Sequence, residues 1–222
     1  MTQQVKTVGI VAGGPDEYIA DLSKDMDVVD YWIGADYGCI TLLNQNVSID
    51  LAIGDFDSMD AYAFANVKKS AKQTVRYSIE KDQTDLELAI NNAKTLFPDQ
   101  IYLYGVTGGR MDHALANVQQ LLPLVEEKIE AIIIDKYNVI QLYEPGTYCL
   151  EETYPFTNIS FLSFTQTIEG LSLEGFYYPL NKHSLSWGST RCLSNKLLSK
   201  KGTFSFDRGI LIMIKSCDVL LK

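Results

Sequence analysis

Four short stretches of the chain carry side chains suited to phosphate chemistry. GDFDS, residues 54–58, sets Asp55 and Asp57 one residue apart at the end of an apolar run; GADYG brings Asp36; KDQTD brings Asp82 and Asp85; GVTGGRMDH brings Gly108, Gly109, Arg110 and Asp112. Two carboxylates about 5 Å apart repel by about 3 kcal/mol at an effective dielectric near 20. A cluster of three or four therefore calls for protons or for a hard divalent cation with oxygen ligands. Magnesium suits such a cluster, because it keeps several waters and bridges a few carboxylates to substrate phosphates. GVTGGR supplies the complement: glycines let backbone amides approach a ligand, and the planar fork of Arg110 matches phosphate oxygens. Acidic cluster and Gly-Gly-Arg turn together point to a metal nucleotide.

Each stretch also has a plainer reading. GDFDS alone could be a solvated turn, and TDLE, Thr84 to Glu87, fits a capping box in which Asp85 only favours a helix start. Asp112 could serve the same early-turn role. Gly13 and Gly14, followed by Pro15, read as a strand-to-helix turn. The two histidines, His113 and His183, lack the spacing of a metal pair.

The turns meet only if the strands before them are neighbours in one parallel sheet. From residue 5 to about 125, apolar runs alternate with helical patterns: KTVGIVAGG, VVDYWIGADYG, LAIGD and QIYLYGV read as strands, and residues 86, 89, 90, 93 and 97 mark a helix face. Met111, Leu115, Val118, Leu122 and Val125 line a further helix that Pro123 kinks or ends. Such alternation predicts a mostly parallel sheet with helices on its faces, whose ligands gather at the carboxyl ends of the strands. From about residue 131 the helical period fades. AIIIDKY, NVIQLYE, GTYCLEE, NISFLSF, CLSNKLL, GTFSFD and GILIMIKS are strand candidates separated by turns. The expected organisation is an α/β domain over residues 1–128, binding nucleotide and metal, then an all-β, sandwich-like domain over residues 129–222.

The chain has 222 residues and a net charge of −9, which argues against a broad nucleic-acid or anionic-membrane surface. Its start lacks the pattern of a signal peptide and no stretch reaches the apolar length of a membrane span, so a soluble cytoplasmic protein is expected. Cys39, Cys149, Cys192 and Cys217 include no CxxC pair and read as reduced structural thiols. GxxxxGK[ST], GxGxxG opening a helix, and GxSxG are all absent, and Met59 stands where a calcium loop needs an oxygen ligand. What is left is metal-assisted phosphoryl-type chemistry on an uncommon scaffold.

The ordered set GADYG, IGDFDS, KDQTDLE, GGRMDH, GFYYPL and STRCLSN resembles the thiamin pyrophosphokinase family across nearly the whole chain. The resemblance implies an α/β domain followed by a β-sandwich, a homodimer, and transfer of a pyrophosphoryl group from ATP to thiamine with release of AMP. It implies magnesium on Asp55, Asp57 and Asp85, with Asp82 and Gln83 nearby. Asp36, Gly108, Gly109 and Arg110 would meet the nucleotide, and Arg110 and Asp112 the reacting groups. Tyr178 takes the place of an aromatic that stacks on thiamine, and Ser194 and Asn195 match the polar pair that reads the vitamin. Rival readings are a pyrophosphokinase for another heterocyclic alcohol such as a pterin, a phosphatase built on an Asp-x-Asp strand end, and a non-catalytic nucleotide- or thiamine-binding module. GFYYPL and STRCLSN favour thiamine over a pterin, and DFDSM lacks the Gly-Thr that usually follows the phosphatase motif.

Overall fold

A computed structural model describes residues 5–78, 80 and 82–218. Lys81, the first residue of KDQTD, lies outside the described residues. The chain divides into two compact units, one ending at Lys136 and the other starting at Tyr137.

In the first unit, β1 (Thr7–Val11), β2 (Tyr31–Ala35), β3 (Ile49–Gly54), β4 (Ala71–Arg76), β5 (Gln100–Tyr104) and β6 (Glu130–Ile134) run parallel in the order β4-β3-β2-β1-β5-β6. β1 and β3 are buried at every position, which is why they read as unbroken apolar runs rather than alternating ones. β4 is the partly exposed edge, and Lys72 on it pairs with the buried Asp50, whose other oxygen accepts from the Trp32 N–H. The helices are α1 (Gly38–Asn44), α2 (Ala61–Ser70), α3 (Asp85–Lys94), α4 (Met111–Gln119) and α5 (Leu121–Glu126). The strand order reverses beside β1, where β2 lies on one side and β5 on the other. That reversal is the switch point at which open parallel sheets bind ligands, just outside the strand ends.

Three expectations need correction. AIIIDKY belongs to the first unit, not the second, because β6 pairs in parallel with β5; the division falls at 136/137 rather than 128/129. The helix read through residues 111–125 is two, broken at Gln120. Pro123 sits in the first turn of α5, where its missing N–H costs nothing, and Met111 and Leu115 are exposed rather than core. CLSNKLL is not a strand, contributing only isolated bridges from Asn195 to Ile159 and from Leu197 to Phe176.

The second unit is a sandwich of antiparallel sheets. β7 (Asn138–Tyr143), β13 (Leu211–Ser216) and β9 (Asn158–Ser163) form one; β11 (Leu180–Ser186), β10 (Thr167–Glu174), β12 (Lys201–Phe206) and β8 (Gly146–Glu151) form the other. Their inner faces share a core of Leu150, Phe161, Leu171, Leu173, Phe204 and Met213, among others. Phe204 alone touches the rings of Tyr143, Tyr148 and Phe161 at 5.0–5.1 Å, the spacing at which aromatic pairs add to plain burial. The four cysteines are free thiols, and no helix among the described residues is long and apolar enough to cross a membrane.

Candidate active site

Asp36 follows β2 with φ at +47°, a left-handed conformation that Asp tolerates better than most residues. Its N–H donates to the Ile53 carbonyl at 2.8 Å, and its Oδ2 accepts from the Ser58 hydroxyl at 2.6 Å, tying the β2 loop to the β3 loop. Asp36 Oδ1 is buried and meets no hydrogen-bond partner among the described residues.

At the end of β3 the Asp55 carboxylate is buried and accepts from the Asp57 N–H at 3.1 Å, folding DFD into a tight turn. Phe56 between them has φ at +59°, and its buried ring lies 4.9 Å from that of Phe64. Arg76, from the end of β4, stacks over Phe64 and donates Nε–H to the Asp55 carbonyl at 3.2 Å, which braces the turn from outside. Asp57 projects exposed from this turn. Its carboxyl is held above the ordinary range, first by the charge of Asp55, then by slight desolvation and a hydrogen bond to Asp55, with Asp36 and Asp85 adding to the repulsion. Carboxylates from three separate loops therefore act on one another here.

Asp85 opens α3. Thr84 caps that helix by accepting from the Glu87 N–H at 3.2 Å, while Glu87 takes its side-chain bond from Gln83 at 2.9 Å. The plain capping reading is thus correct for Thr84, and Gln83 is occupied within its own turn. Asp85 nonetheless faces a cleft of about 730 Å³, and Asp82 lies exposed in the turn before it. The cleft sits at the switch point. Its walls are residues 12–16 after β1, 35–37 at the end of β2 and just beyond, 84–86 at the cap and start of α3, and 105–110 after β5. The β1 and β5 loops touch through backbone, Gly14 N–H donating to the Gly105 carbonyl at 2.8 Å. A Cβ on Gly14 would lie 2.5 Å from that oxygen, and one on Gly105 would lie 2.3 Å from the Ala12 oxygen, so only glycine allows the approach.

Arg110 stands at the rim, its Nε and Nη2 gripping the two oxygens of Asp112 at 3.1 and 2.6 Å. This bidentate bond, with the His113 N–H, pushes the Asp112 carboxyl down to about 2. The pair is accordingly intact from neutral pH downward and breaks only as the pH falls toward that value. Gly13, Gly14, Asp16, Tyr37, Thr107, His113 and Asn117 also line the cleft. Of these, Tyr37, Thr107 and His113 lie within GADYG and GVTGGRMDH, the glycine pair reads in sequence only as a turn, and Asp16 and Asn117 carry no sequence signal.

Among the described residues no three His, Cys, Asp or Glu side chains are drawn close enough to form a ready metal cage. Asp55, Asp57 and Asp85 are thus not assembled as a closed ligand set. Hard oxygen donors that repel one another, with a buried Asp36 oxygen left without a partner beside them, nevertheless fit a magnesium ion that keeps much of its water shell.

In the second unit Tyr177 and Tyr178 are both exposed and meet edge to face at 4.9 Å. Ser194 is exposed with φ at +54°. Asn195 stands apart from the expectation: it is 2% exposed, its Oδ1 accepts from the Tyr178 and Lys196 N–H groups, and its Nδ2 donates to the Tyr178 carbonyl. The side chain is spent on holding the tyrosine segment in place. Asn195→Ala is expected to cost about 1–3 kcal/mol of stability, as measured by denaturant unfolding, because it leaves buried backbone groups unpaired. Unchanged stability would contradict the clamp.

An acidic, glycine-lined cleft at the switch point of a parallel sheet, followed by a β-sandwich, defines an α/β protein of the nucleotide-handling class. Residues 22–133 match the family model for the thiamin pyrophosphokinase catalytic domain, and residues 147–211 that for the thiamin pyrophosphokinase vitamin B1 binding domain. The chain is 46% identical over 214 residues to the thiamine pyrophosphokinase of Bacillus subtilis, covering 96% of this chain and 100% of the relative. A crystal structure of the thiamine pyrophosphokinase from Bacillus subtilis superposes with a TM-score of 0.91 at 45% identity, covering 96% of this chain and 100% of that one. One of the thiamin pyrophosphokinase from Geobacillus thermodenitrificans gives 0.86 at 37% identity, covering 96% and 99%. The chain belongs to the thiamin pyrophosphokinase family.

Proposed function

We propose that this protein is a cytoplasmic, homodimeric enzyme that transfers the pyrophosphoryl group of ATP to the hydroxyethyl oxygen of thiamine, giving thiamine diphosphate and AMP. The observation that carries the reading is the gathering of Asp36, Asp55, Asp57 and Asp85 close enough to perturb Asp57, beside a glycine-lined cleft. Family membership supplies the substrates.

In this reading the nucleotide lies in the cleft against the Gly13–Gly14 and Gly108–Gly109 backbones, with Asp36 at its side. Asp55, Asp57 and Asp85 would hold magnesium, which when bound neutralises charge on the phosphate oxygens. Arg110, already at the rim, turns its fork from Asp112 to the phosphates and adds positive charge where charge develops. The thiamine hydroxyl attacks the β-phosphorus in line, the bond from β-phosphorus to the bridging oxygen breaks, and AMP leaves with the electron pair. A carboxylate takes the hydroxyl proton. Asp85, at the start of α3, and Asp112, which Arg110 releases as it turns to the phosphates, are the two candidates for that base. Tyr178, with Tyr177 against it, offers an exposed π-face to the cationic thiazolium ring, and Ser194 offers a hydroxyl. Met111 and Leu115, exposed on α4, support burial in a second copy, and sedimentation at twice the 24.9 kDa chain mass would show it.

ATP labelled at the γ-phosphorus tests the reaction. The label is expected in thiamine diphosphate; label in orthophosphate would support the phosphatase reading instead.

A further inference from the structure

The loop that carries Arg110 contains three glycines with positive φ, Gly105 at +65°, Gly108 at +83° and Gly109 at +66°. Such a loop has much conformational freedom to lose, and a cation on it is useful only if something fixes the backbone. Three ties do so. Gly14 N–H donates to the Gly105 carbonyl, Asn117 Nδ2 to the Val106 carbonyl at 2.7 Å, and the Thr107 hydroxyl to Asp135 Oδ2 at 2.6 Å. The third is the last before Gly108.

Asp135 follows β6 and is 2% exposed, a buried carboxylate that the reaction itself does not use. Its neighbour Lys136 donates its N–H to the Tyr18 carbonyl at 2.8 Å. Tyr18 ends the short 3-10 turn Asp16–Tyr18, and its ring packs so close to Gly108 that a Cβ there would come within 2.9 Å. The end of β6 thus grips the 105–110 loop through Asp135 and, through Lys136, the segment whose aromatic ring backs Gly108. We propose that Asp135, acting through Thr107, is a positioning residue for Arg110, fixing the Gly108–Gly109–Arg110 turn for the polyphosphate of the nucleotide. The proposal rests on the reaction assigned above and adds to it a residue remote from the reacting atoms.

The test is a double-mutant cycle of Thr107→Val with Arg110→Lys, read in the KM for ATP, in turnover and in direct ATP affinity by calorimetry with magnesium present. Thr107→Val keeps the side-chain shape and removes the donor. It is expected to raise the KM and dissociation constant for ATP roughly tenfold, the scale of a hydrogen bond to a charged group, and to leave the KM for thiamine unchanged. In the Arg110→Lys background the same change is expected to cost less than about twofold, because the group it positions is already impaired. Asp135→Asn retains an acceptor for Thr107 and is expected to lie between Thr107→Val and wild type. A full tenfold effect in the Arg110→Lys background, equal losses for ATP and thiamine, or wild-type ATP parameters in a folded Thr107→Val protein would each overturn the proposal. If the wild type binds ATP but forms no AMP, the reaction falls while the affinities still decide the bracing. If it binds no ATP, both fall.

Discussion

Asp57→Asn is expected to lower turnover by roughly 10³-fold while leaving the fold as stable as before or slightly more so. The two effects have one cause. Asp57 is exposed, and the DFD geometry is held by the Asp57 backbone N–H on Asp55, by buried Phe56, and by Arg76 on the Asp55 carbonyl, none of which needs the Asp57 charge. Removing the charge therefore relieves repulsion from Asp55, Asp36 and Asp85 without loosening the loop. The same repulsion is what a cation would relieve, so the amide is expected to weaken the magnesium binding proposed above. The checks are the magnesium dependence of turnover and the urea midpoint. Turnover within about tenfold of wild type at saturating magnesium would remove Asp57 from the site.

Arg110→Met is the second large effect, with an expected loss of roughly 10²–10³-fold in turnover, comparable with removal of other phosphate-facing arginines or oxyanion donors. Its guanidinium is largely exposed and, among the described residues, is bonded to Asp112, so the thermal midpoint is expected to change little. Arg110→Lys keeps the charge but not the fork, and recovers only part of the activity. With the guanidinium gone, the Asp112 carboxyl rises from about 2 toward its ordinary value, which NMR titration of that side chain would follow. A Met variant with near-normal kcat and KM for ATP would place Arg110 outside the reaction.

The parallel sheet was legible because β1, β3 and β5 are short, mostly apolar runs with glycine or aspartate close behind, and β1 and β3, buried on both faces, must read that way. β4 was not, since an edge strand with Lys72, Gln73 and Thr74 in succession carries no such run. β6 was seen as a strand but given to the wrong unit: sequence shows that AIIIDKY is apolar, not that it pairs in parallel with β5. In the sandwich, β10 and β11 escaped because glycine, serine, lysine and histidine interrupt their alternation, and bulges shift their register. CLSNKLL misled by the opposite route, with apolar Cys192 buried and Leu198 exposed along a stretch that is mostly turn.

At the site, motif spacing named the acidic residues and Arg110 but not what holds them. Ser58 on Asp36, Arg76 on the DFD turn and Asp135 on Thr107 are contacts between loops distant in sequence, and no local pattern encodes them. Asn195, which the family resemblance pairs with Ser194 as a reader of thiamine, also clamps the Tyr178 backbone, a contact between segments that no local pattern encodes.

The most direct measurement is the joint formation of AMP and thiamine diphosphate by the purified protein given ATP, thiamine and magnesium, followed by chromatography. Equal amounts of the two products, formed only when thiamine is present and abolished by a chelator, are the predicted result. ADP or orthophosphate released without thiamine, or no product from a folded sample, would contradict it.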